Sequence, residues 1–313
     1  MALAAVFPGQ GSQSVGMLAA LADASPLVQA TFAEASDVLG YDLWQLAQQG
    51  PAELLNATER TQPAMLAAGV AAWRVWRSRE SHEPAMLAGH SLGEFTALVC
   101  AEALAFRDAV GVVQFRGRVM QEAMPAGQGA MAAILGLEEG EVEAACAEAA
   151  HGEVAEAVNY NSPGQVVIAG NAAAVARAIE AAKARGAKRT LLLPVSVPAH
   201  SSLLRPAGER LRARLAAVPL RVPRWPVYAL DLGRHDSAEA IREQLVRQLS
   251  SPVRWTDTVR DMIAHGATRI VECGPGRVLT SLNRRIERSK EVAMQAIDDP
   301  ASLAAATEQG AAA

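Results

Sequence analysis

The sequence predicts an α/β fold with a parallel sheet, because strand-like and helix-like stretches alternate along most of the chain. Short apolar runs are followed by longer runs with apolar residues at helical spacing, the pattern of strands joined by helical crossovers. One stretch, residues 126–198, departs from this order and is richer in strands. A chain of 313 residues has room for one large domain that carries a smaller inserted one.

The large α/β domain is assigned to residues 1–125 and 199–313. Its strands are expected to be the apolar runs at residues 2–7, 85–89, 226–231 and 268–273.

Local signals place the helices of this domain. One helix is predicted to begin after Ser25 and to end at Gly40, since serine caps helices and glycine ends them, and Pro26 fits the first turn. A second apolar helix begins near Thr61-Gln62-Pro63 and runs to Trp76. The alanine-rich stretch after Ala301 is expected to fray at its end.

The inserted segment, residues 126–198, has a different order of elements. Its predicted strands cover residues 129–137, 154–160, 165–169 and 189–197, and its helices residues 139–150 and 171–185. The resulting βαββαβ order is the split βαβ, or ferredoxin-like, pattern.

Composition favours a cytoplasmic enzyme. Half of the residues are hydrophobic but only 4% are aromatic, and no apolar run approaches the ~20 residues that a membrane helix needs. The first residues lack the basic start of a signal peptide. Three widely spaced cysteines suggest neither disulfides nor zinc, and a net charge of −4 argues against nucleic-acid binding.

The most informative motif is the pentapeptide Gly89-His90-Ser91-Leu92-Gly93, a G-x-S-x-G sequence. An apolar run precedes it and a helix-forming run follows it, so a strand, a sharp turn and a helix are expected. Such a turn lifts the serine hydroxyl clear of the sheet, and the new helix directs its N–H groups at any anion that forms there. Ser91 is therefore predicted to be an acylated nucleophile.

A serine nucleophile needs a base, and six histidines are available. Those expected to be only solvated are His82, His151 and His235. His90 neighbours Ser91 but should point away from it and brace the loop, and His265 precedes a glycine at a helix end, where it can act as a cap. His200 lies between an apolar run and a helix, where it would be fixed yet accessible. It is the candidate base, although spacing alone does not select it.

Arg116 is unusual because it falls on an apolar stripe. On the predicted helix of residues 106–124 the stripe consists of Ala109, Val112, Val113, Met120, Ala123 and Met124. A buried guanidinium needs an anionic partner. That partner is either an internal carboxylate or the carboxylate of a substrate, which arginine binds in a bidentate fork.

The loop after the first strand, Phe7-Pro8-Gly9-Gln10-Gly11-Ser12-Gln13, begins like a dinucleotide fingerprint but lacks the third glycine. Nucleotide binding is therefore not expected. Gln10 lies where α/β sheets place ligands and could offer a backbone N–H to an oxyanion.

Seven short sequence motifs occur in one order along the chain. They are the loop and the G-x-S-x-G motif above together with Thr61-Gln62-Pro63-Ala64, Arg116-Gly117, Asn161-Ser162-Pro163-Gly164-Gln165, Val197-Pro198-Ala199-His200-Ser201 and Glu272-Cys273-Gly274-Pro275-Gly276. Together they resemble one family, the malonyl-CoA:acyl carrier protein transacylases of bacterial fatty acid synthesis, and the resemblance covers residue 4 to about residue 300. It implies a hydrolase-like α/β domain with a ferredoxin-like insert.

The resemblance also implies roles for individual residues. Ser91 matches the nucleophile and His200 the base, and Arg116 matches the residue that pairs with the malonyl carboxylate. The backbone N–H groups of Gln10 and Leu92 match the oxyanion hole.

Two glutamines complete the implied site. Gln62 lines the pocket, and Gln248 matches a residue whose backbone carbonyl orients the histidine. The chain departs from the family at Ala229-Leu230, where an asparagine pair is frequent. The resemblance therefore implies the reaction but not the polarity of this part of the pocket.

The implied reaction is ping-pong transfer of a malonyl group from malonyl-CoA to the phosphopantetheine thiol of holo-acyl carrier protein. No metal or redox cofactor is expected, and the protein is expected to be a monomer. The basic stretch after Gly276 is either a solvated face or a surface that attracts the acidic carrier. It holds Arg277, Arg284, Arg285, Arg288 and Lys290.

Other activities stay open from the sequence. A serine esterase or thioesterase would use the same turn but take its acid and histidine later in the chain, recruiting Asp108 or Asp231 with His235 or His265. A stand-alone acyltransferase of polyketide synthesis or malonate decarboxylation would share the transfer chemistry.

Overall fold

The computed structural model describes residues 2–125, 127–195, 197–230 and 232–311. Within them the strands are β1 (Ala2–Phe7), β2 (Met86–Gly89), β3 (Gly129–Leu135), β4 (Ala155–Ser162), β5 (Gln165–Asn171), β6 (Arg189–Leu192), β7 (Val227–Tyr228), β8 (Ala267–Cys273) and β9 (Ala293–Ile297).

The helices of the described residues are α1 (Ala19–Ala24), α2 (Pro26–Leu39), α3 (Leu43–Gln49), α4 (Ala52–Leu55), α5 (Thr58–Arg77), α6 (Gly93–Cys100), α7 (Phe106–Glu122), α8 (Glu139–Ala149), α9 (Ala172–Ala184), α10 (Arg205–Leu215), α11 (Ala238–Arg247), α12 (Trp255–Ala264), α13 (Val278–Ile286) and α14 (Pro300–Ala311). Short 3₁₀ turns cover Ser202–Leu204 and Gln248–Ser250.

The main sheet is parallel, as predicted, and it has helices on both faces. Its strand order is β7-β2-β1-β8-β9, and every neighbouring pair runs in the same direction. Along β1, Leu3 and Phe7 pack on the side of α2, α5 and α7, whereas Ala4 and Val6 pack on the side of α12 and α13. Both faces are thus buried, which explains why these strands read as continuous apolar runs.

The inserted segment forms a second, antiparallel sheet with its own core. Strands lie in the order β4-β5-β3-β6, and α8 and α9 bury their apolar residues against it. This is the predicted βαββαβ order. All of these elements fall inside residues 126–198, and the placement of the domain boundaries at the ends of that range stays a prediction.

Two expectations about element length were wrong. The predicted strand at residues 226–231 is reduced to Val227–Tyr228, and the one at residues 189–197 ends at Leu192; Ser196 and Asp231 lie outside the described residues. Strand β9 was not predicted. The stretch after Ala301 is helical through Ala311, because Leu303 and Ala306 are buried against the core. The expected fraying at its end stays a prediction.

Parallel strands bring all of their carboxyl ends to one edge of the sheet. The loop after β1, the G-x-S-x-G turn after β2 and the glycine-rich turn after β8 therefore lie side by side. No helix within the described residues has both the length and the apolar composition to cross a bilayer.

Candidate active site

Ser91 lies on the predicted strand-turn-helix, between β2 and α6. Its φ of 53° is in the left-handed region, which is unusual for a residue other than glycine. The flanking glycines are required for close packing. A Cβ on Gly89 would lie 1.9 Å from the Gly93 carbonyl carbon, and a Cβ on Gly93 would lie 2.1 Å from the Phe7 oxygen. The turn therefore presents Ser91 only because neither Gly89 nor Gly93 has a side chain.

His200 is the histidine that contacts Ser91, as the candidate assignment required. Its Nε2 lies 2.7 Å from the Ser91 Oγ, and its Nδ1 lies 2.7 Å from the Gln248 backbone oxygen. A carbonyl oxygen can only accept, so Nδ1 carries the proton and Nε2 offers its lone pair to the serine hydroxyl. The ring is thus set in the tautomer that a general base needs.

Burial keeps His200 neutral. Loss of hydration, followed by the positive charge of Arg116, lowers the pKa of His200 from 6.5 to about 3. A protonated imidazole has no lone pair to accept the serine proton. The low pKa therefore makes His200 available as a base at neutral and mildly acidic pH.

Arg116 is buried on α7, with 1% of its surface exposed. Among the residues that the structure describes, no carboxylate is in direct contact with it. Instead its Nη1 donates to the Gln62 Oε1 at 2.9 Å and its Nη2 donates to the Gln248 Oε1 at 2.7 Å. Loss of hydration lowers the pKa of Arg116 to about 10, and Glu94 opposes that shift, so the guanidinium stays charged at neutral pH.

The guanidinium keeps unused donors. It has five N–H groups, of which the two glutamines take two, and among the described residues its buried Nε has no hydrogen-bond partner. The group therefore retains the planar donors that a carboxylate binds in a fork. Two neutral amides contact the guanidinium where the first interpretation of Arg116 placed an internal carboxylate, and the described residues supply no such carboxylate. The second interpretation, a carboxylate of the substrate, stays a prediction.

One cavity joins these groups. It has a volume of about 350 Å³ and is lined by Ser91, His200, Arg116, Gln10 and Leu92 among others. Its opposite wall comes from the second sheet and the segment after it, through Met131, Asn159, Leu193, Pro194 and Val195. The cleft thus lies between the two sheets, with a hydroxyl nucleophile and a cation in one space.

The two residues of the predicted oxyanion hole, Gln10 and Leu92, line this cavity. Leu92 immediately precedes α6, so its backbone N–H belongs to the positive end of that helix. Within the described parts of the chain, neither the Leu92 nor the Gln10 N–H donates to another protein group. Both remain available to an oxygen that is placed above Ser91. Gln62 lies behind Arg116 rather than on the cavity wall.

Of the remaining histidines, His90 and His265 have the predicted roles and His235 does not. His90 braces the loop, with its Nε2 2.8 Å from the Asn161 Oδ1, and His265 caps α12 through the Asp261 oxygen, as expected. His235 was predicted to be solvated, and that prediction was wrong. It is 5% exposed, and its Nε2 lies 2.7 Å from the Glu94 Oε1. The partners are 141 residues apart in sequence, so no local pattern could reveal the pair.

A serine on a strand-turn-helix with a histidine base above a parallel sheet defines the serine-dependent acyl-transferring enzymes of α/β fold. Neither His235 nor His265 contacts Ser91, so the arrangement that an esterase triad would need is absent among the described residues.

Comparison with known proteins narrows that class. Residues 5–299 match the family described as "Acyl transferase domain", and the chain belongs to that family. It is 54% identical to the malonyl CoA-acyl carrier protein transacylase of Escherichia coli strain K12, over 97% of this chain and 98% of the relative.

Solved structures agree with the family assignment. A malonyl-transacylase in complex with its type II PKS acyl-carrier protein superposes with a TM-score of 0.96 at 53% identity, covering 99% of this chain and all of that one. An acyl carrier protein S-malonyltransferase from Vibrio cholerae superposes with a TM-score of 0.93 at 54% identity, covering 97% and 99% of the two chains.

Proposed function

We propose that the protein transfers a malonyl group from malonyl-CoA to the phosphopantetheine thiol of holo-acyl carrier protein, through a malonyl ester on Ser91. The observation that carries this proposal is the presence of Arg116 in the same cavity as the Ser91–His200 pair. The pair supplies acyl transfer, and the cation selects an acyl group that ends in a carboxylate.

In the first half-reaction, the Ser91 Oγ attacks the thioester carbonyl and its proton passes to the His200 Nε2. The backbone N–H groups of Gln10 and Leu92 donate to the oxyanion, each stabilising the transition state by on the order of 3 kcal/mol. The Gln248 carbonyl accepts from the Nδ1–H and so orients the imidazole in place of a triad carboxylate. Collapse of the intermediate expels the CoA thiolate, which takes the proton from His200.

In the second half-reaction, the carrier thiol gives its proton to the His200 Nε2 and attacks the malonyl ester. The oxyanion forms in the same place, and collapse returns the proton to the Ser91 oxygen. The same residues thus act in both half-reactions. The steps use no group other than these side chains and backbone donors.

Arg116 is assigned the malonyl carboxylate. The guanidinium is charged, buried and held by two neutral amides, with donors to spare. An incoming carboxylate would therefore meet a fixed cation in a site where charge pairing is weakly screened. We assign the supply of malonyl units to fatty acid chain elongation. A polyketide carrier is the alternative, and the relative solved with a type II PKS carrier supports it.

The direct experiment is mass spectrometry of the intact protein after brief exposure to malonyl-CoA. One malonyl adduct is expected, mapping to Ser91, and added holo-acyl carrier protein should remove it. The Ser91→Ala variant should form no adduct while keeping its fold. An adduct on any of the three cysteines, or release of the acyl group to water at the same rate without carrier, would contradict the proposal.

A further inference from the structure

A buried carboxylate lies directly behind the cavity. Glu94 is in the first turn of α6, three positions after Ser91, and is fully buried. Its Oε2 accepts from the Gln248 Nε2 at 2.6 Å, and its Oε1 lies 2.7 Å from the His235 Nε2. Burying a carboxylate is costly unless it is fully hydrogen-bonded. None of the steps of acyl transfer uses it.

Glu94 determines which way the Gln248 amide faces. An ionised carboxylate only accepts, so Gln248 must turn its NH₂ toward Glu94 and its Oε1 the other way. That Oε1 is the acceptor for the Arg116 Nη2. If the amide were reversed, its NH₂ would face the guanidinium, where donor would meet donor. The carboxylate therefore makes the Gln248 side chain an acceptor for Arg116.

We propose that Glu94 and His235 are positioning residues that hold Arg116 in place for the substrate carboxylate, acting through the Gln248 side chain. This inference rests on the proposed function, since it assigns Arg116 to the malonyl group. The chain of contacts runs from His235 to Glu94, Gln248 and Arg116, with hydrogen-bond distances of 2.7, 2.6 and 2.7 Å.

The intervening glutamine matters for binding. A carboxylate in direct contact with Arg116 would occupy the donors that the substrate needs. With Gln248 between them, Glu94 still favours the charged form of Arg116, and the remaining guanidinium donors stay open toward the cavity. The arrangement balances a buried cation in the empty site without blocking it.

His235 fixes the far end of the chain. Because the carboxylate accepts, the Nε2 of His235 must carry the proton that it shares with Glu94. The two side chains are 1% and 0% exposed, so no water is at hand to replace a lost donor. Removing this donor leaves one carboxylate oxygen unpaired. That oxygen would compete for the Gln248 NH₂ and shift the amide away from the position in which its Oε1 contacts Arg116.

The test is kcat and KM for malonyl-CoA and for acetyl-CoA on Glu94→Gln, which keeps the shape, removes the charge and lets the Gln248 amide reverse. We expect the ratio of the two kcat/KM values to fall by at least about fivefold, mainly through a higher KM for malonyl-CoA, as for residues coupled in one network. In an Arg116→Ala background the same substitution should leave the ratio unchanged. Equal losses for both substrates, or the same change in that background, would overturn the inference.

A second pair of variants covers a failure of Glu94→Gln to fold. His235→Phe removes the donor and should lower the ratio, whereas His235→Gln restores a donor near the Nε2 position and should recover it. A lower malonyl-to-acetyl ratio of kcat/KM in both variants, or in neither, would overturn the inference.

The chain offers a matched control. Glu80 and His82 form another histidine–carboxylate pair, with the His82 Nδ1 2.8 Å from the Glu80 Oε1. The second Glu80 oxygen accepts from Arg269, so this pair does not contact Gln248 or Arg116. Glu80→Gln should leave the substrate ratio unchanged. If Arg116→Ala itself fails to alter the ratio, the proposed function falls. If it alters the ratio and Glu94→Gln does not, only the positioning inference falls.

Discussion

His200 and Arg116 lie at the two ends of the cleft, and burial leaves the first side chain neutral and the second charged. Loss of hydration lowers the pKa of His200 from 6.5 to about 3 and that of Arg116 to about 10. Because the two groups start so far apart, the imidazole becomes neutral and the guanidinium stays charged at neutral pH. One water-poor space thus provides both a base and a cation.

The two groups are also supported differently. The Nδ1 of His200 donates to a backbone oxygen, whereas the Nη atoms of Arg116 donate to glutamine side chains. No side-chain substitution at residue 248 removes a backbone carbonyl. The reaction centre should therefore tolerate changes that impair recognition of the carboxylate, and the predictions at His200, Gln248 and Arg116 test that difference.

The largest effect is expected at the base. His200→Ala should slow formation of the acyl enzyme by roughly 10²–10⁴-fold, because the serine proton has no acceptor. Both malonyl-CoA and acetyl-CoA should be affected alike, as measured by the rate of adduct formation in single-turnover experiments. His90→Ala serves as the control and should cost far less, since His90 contacts Asn161 and not Ser91. A larger loss of rate in His90→Ala than in His200→Ala would show that His90 is the base and His200 the bracing residue.

A smaller effect is expected at Gln248, whose side chain and backbone serve different ends of the cleft. Gln248→Ala keeps the carbonyl that orients His200 but removes the acceptor for the Arg116 Nη2. Hydrogen bonds to charged groups contribute about 1.5–3 kcal/mol, so kcat/KM for malonyl-CoA should fall by roughly 10- to 100-fold. Acetyl transfer should change little, and a matching loss there would contradict the division of roles.

The pH dependence should connect the two ends. In the wild type, the acylation rate should hold as pH falls from 7 to 5, because His200 stays neutral until the pH approaches about 3. Arg116 contributes to that low pKa, so Arg116→Ala should raise the pKa of His200 and move the acid loss of acetyl transfer to higher pH. An unchanged acid limb in a pH profile with acetyl-CoA would contradict this coupling.

The same pKa shift affects stability. Between pH 6.5 and about 3 the unfolded chain binds a proton at this residue and the folded chain does not. The free energy of unfolding should therefore decrease as pH falls through that range. Chemical denaturation at pH 7 and pH 5 should show the decrease, and His200→Ala should reduce it. A variant whose stability falls as steeply with pH as that of the wild type would contradict the shift.

The smallest effect concerns the basic stretch near α13. Arg277 is already paired with Asp298 and Asp299, which narrows the candidate surface to residues such as Arg285 and Arg288. Charge reversal of these two should raise the apparent KM for the acidic carrier a few-fold at low salt and less at high salt. Charge reversal of Arg107, which is exposed on α7, is the control. Equal changes, or none at low salt, would leave only a solvated face.

Much of the fold and the reaction centre could be predicted because their signals are local. The G-x-S-x-G turn needs a strand, glycines and a helix within a few residues, and Arg116 stands out from its own helix. His200 required the family resemblance, since spacing does not identify its partner. Strand β9 went unnoticed because Ala293–Ile297 is a short run that acquires strand character by pairing with β8.

The network behind the cavity could not be predicted. Glu94 directly follows the G-x-S-x-G motif and His235 lies among charged residues. Nothing in either neighbourhood indicates that the two side chains meet. Their pairing depends on the position of the segment after β7 against the start of α6, which is a property of the tertiary structure. Buried polar contacts between distant segments are in general invisible to periodicity and motif spacing.

The central claim is that Arg116 selects the acyl group by its carboxylate. The most direct measurement is kcat/KM for malonyl-CoA and acetyl-CoA on wild type, Arg116→Ala and Arg116→Lys. Losing one partner of a buried charge pair costs about 3–5 kcal/mol, so the malonyl-to-acetyl ratio should fall by two to three decades or more in Arg116→Ala, with little recovery in Arg116→Lys, which cannot form the fork. Equal losses for both substrates would show that Arg116 is structural and would contradict the account.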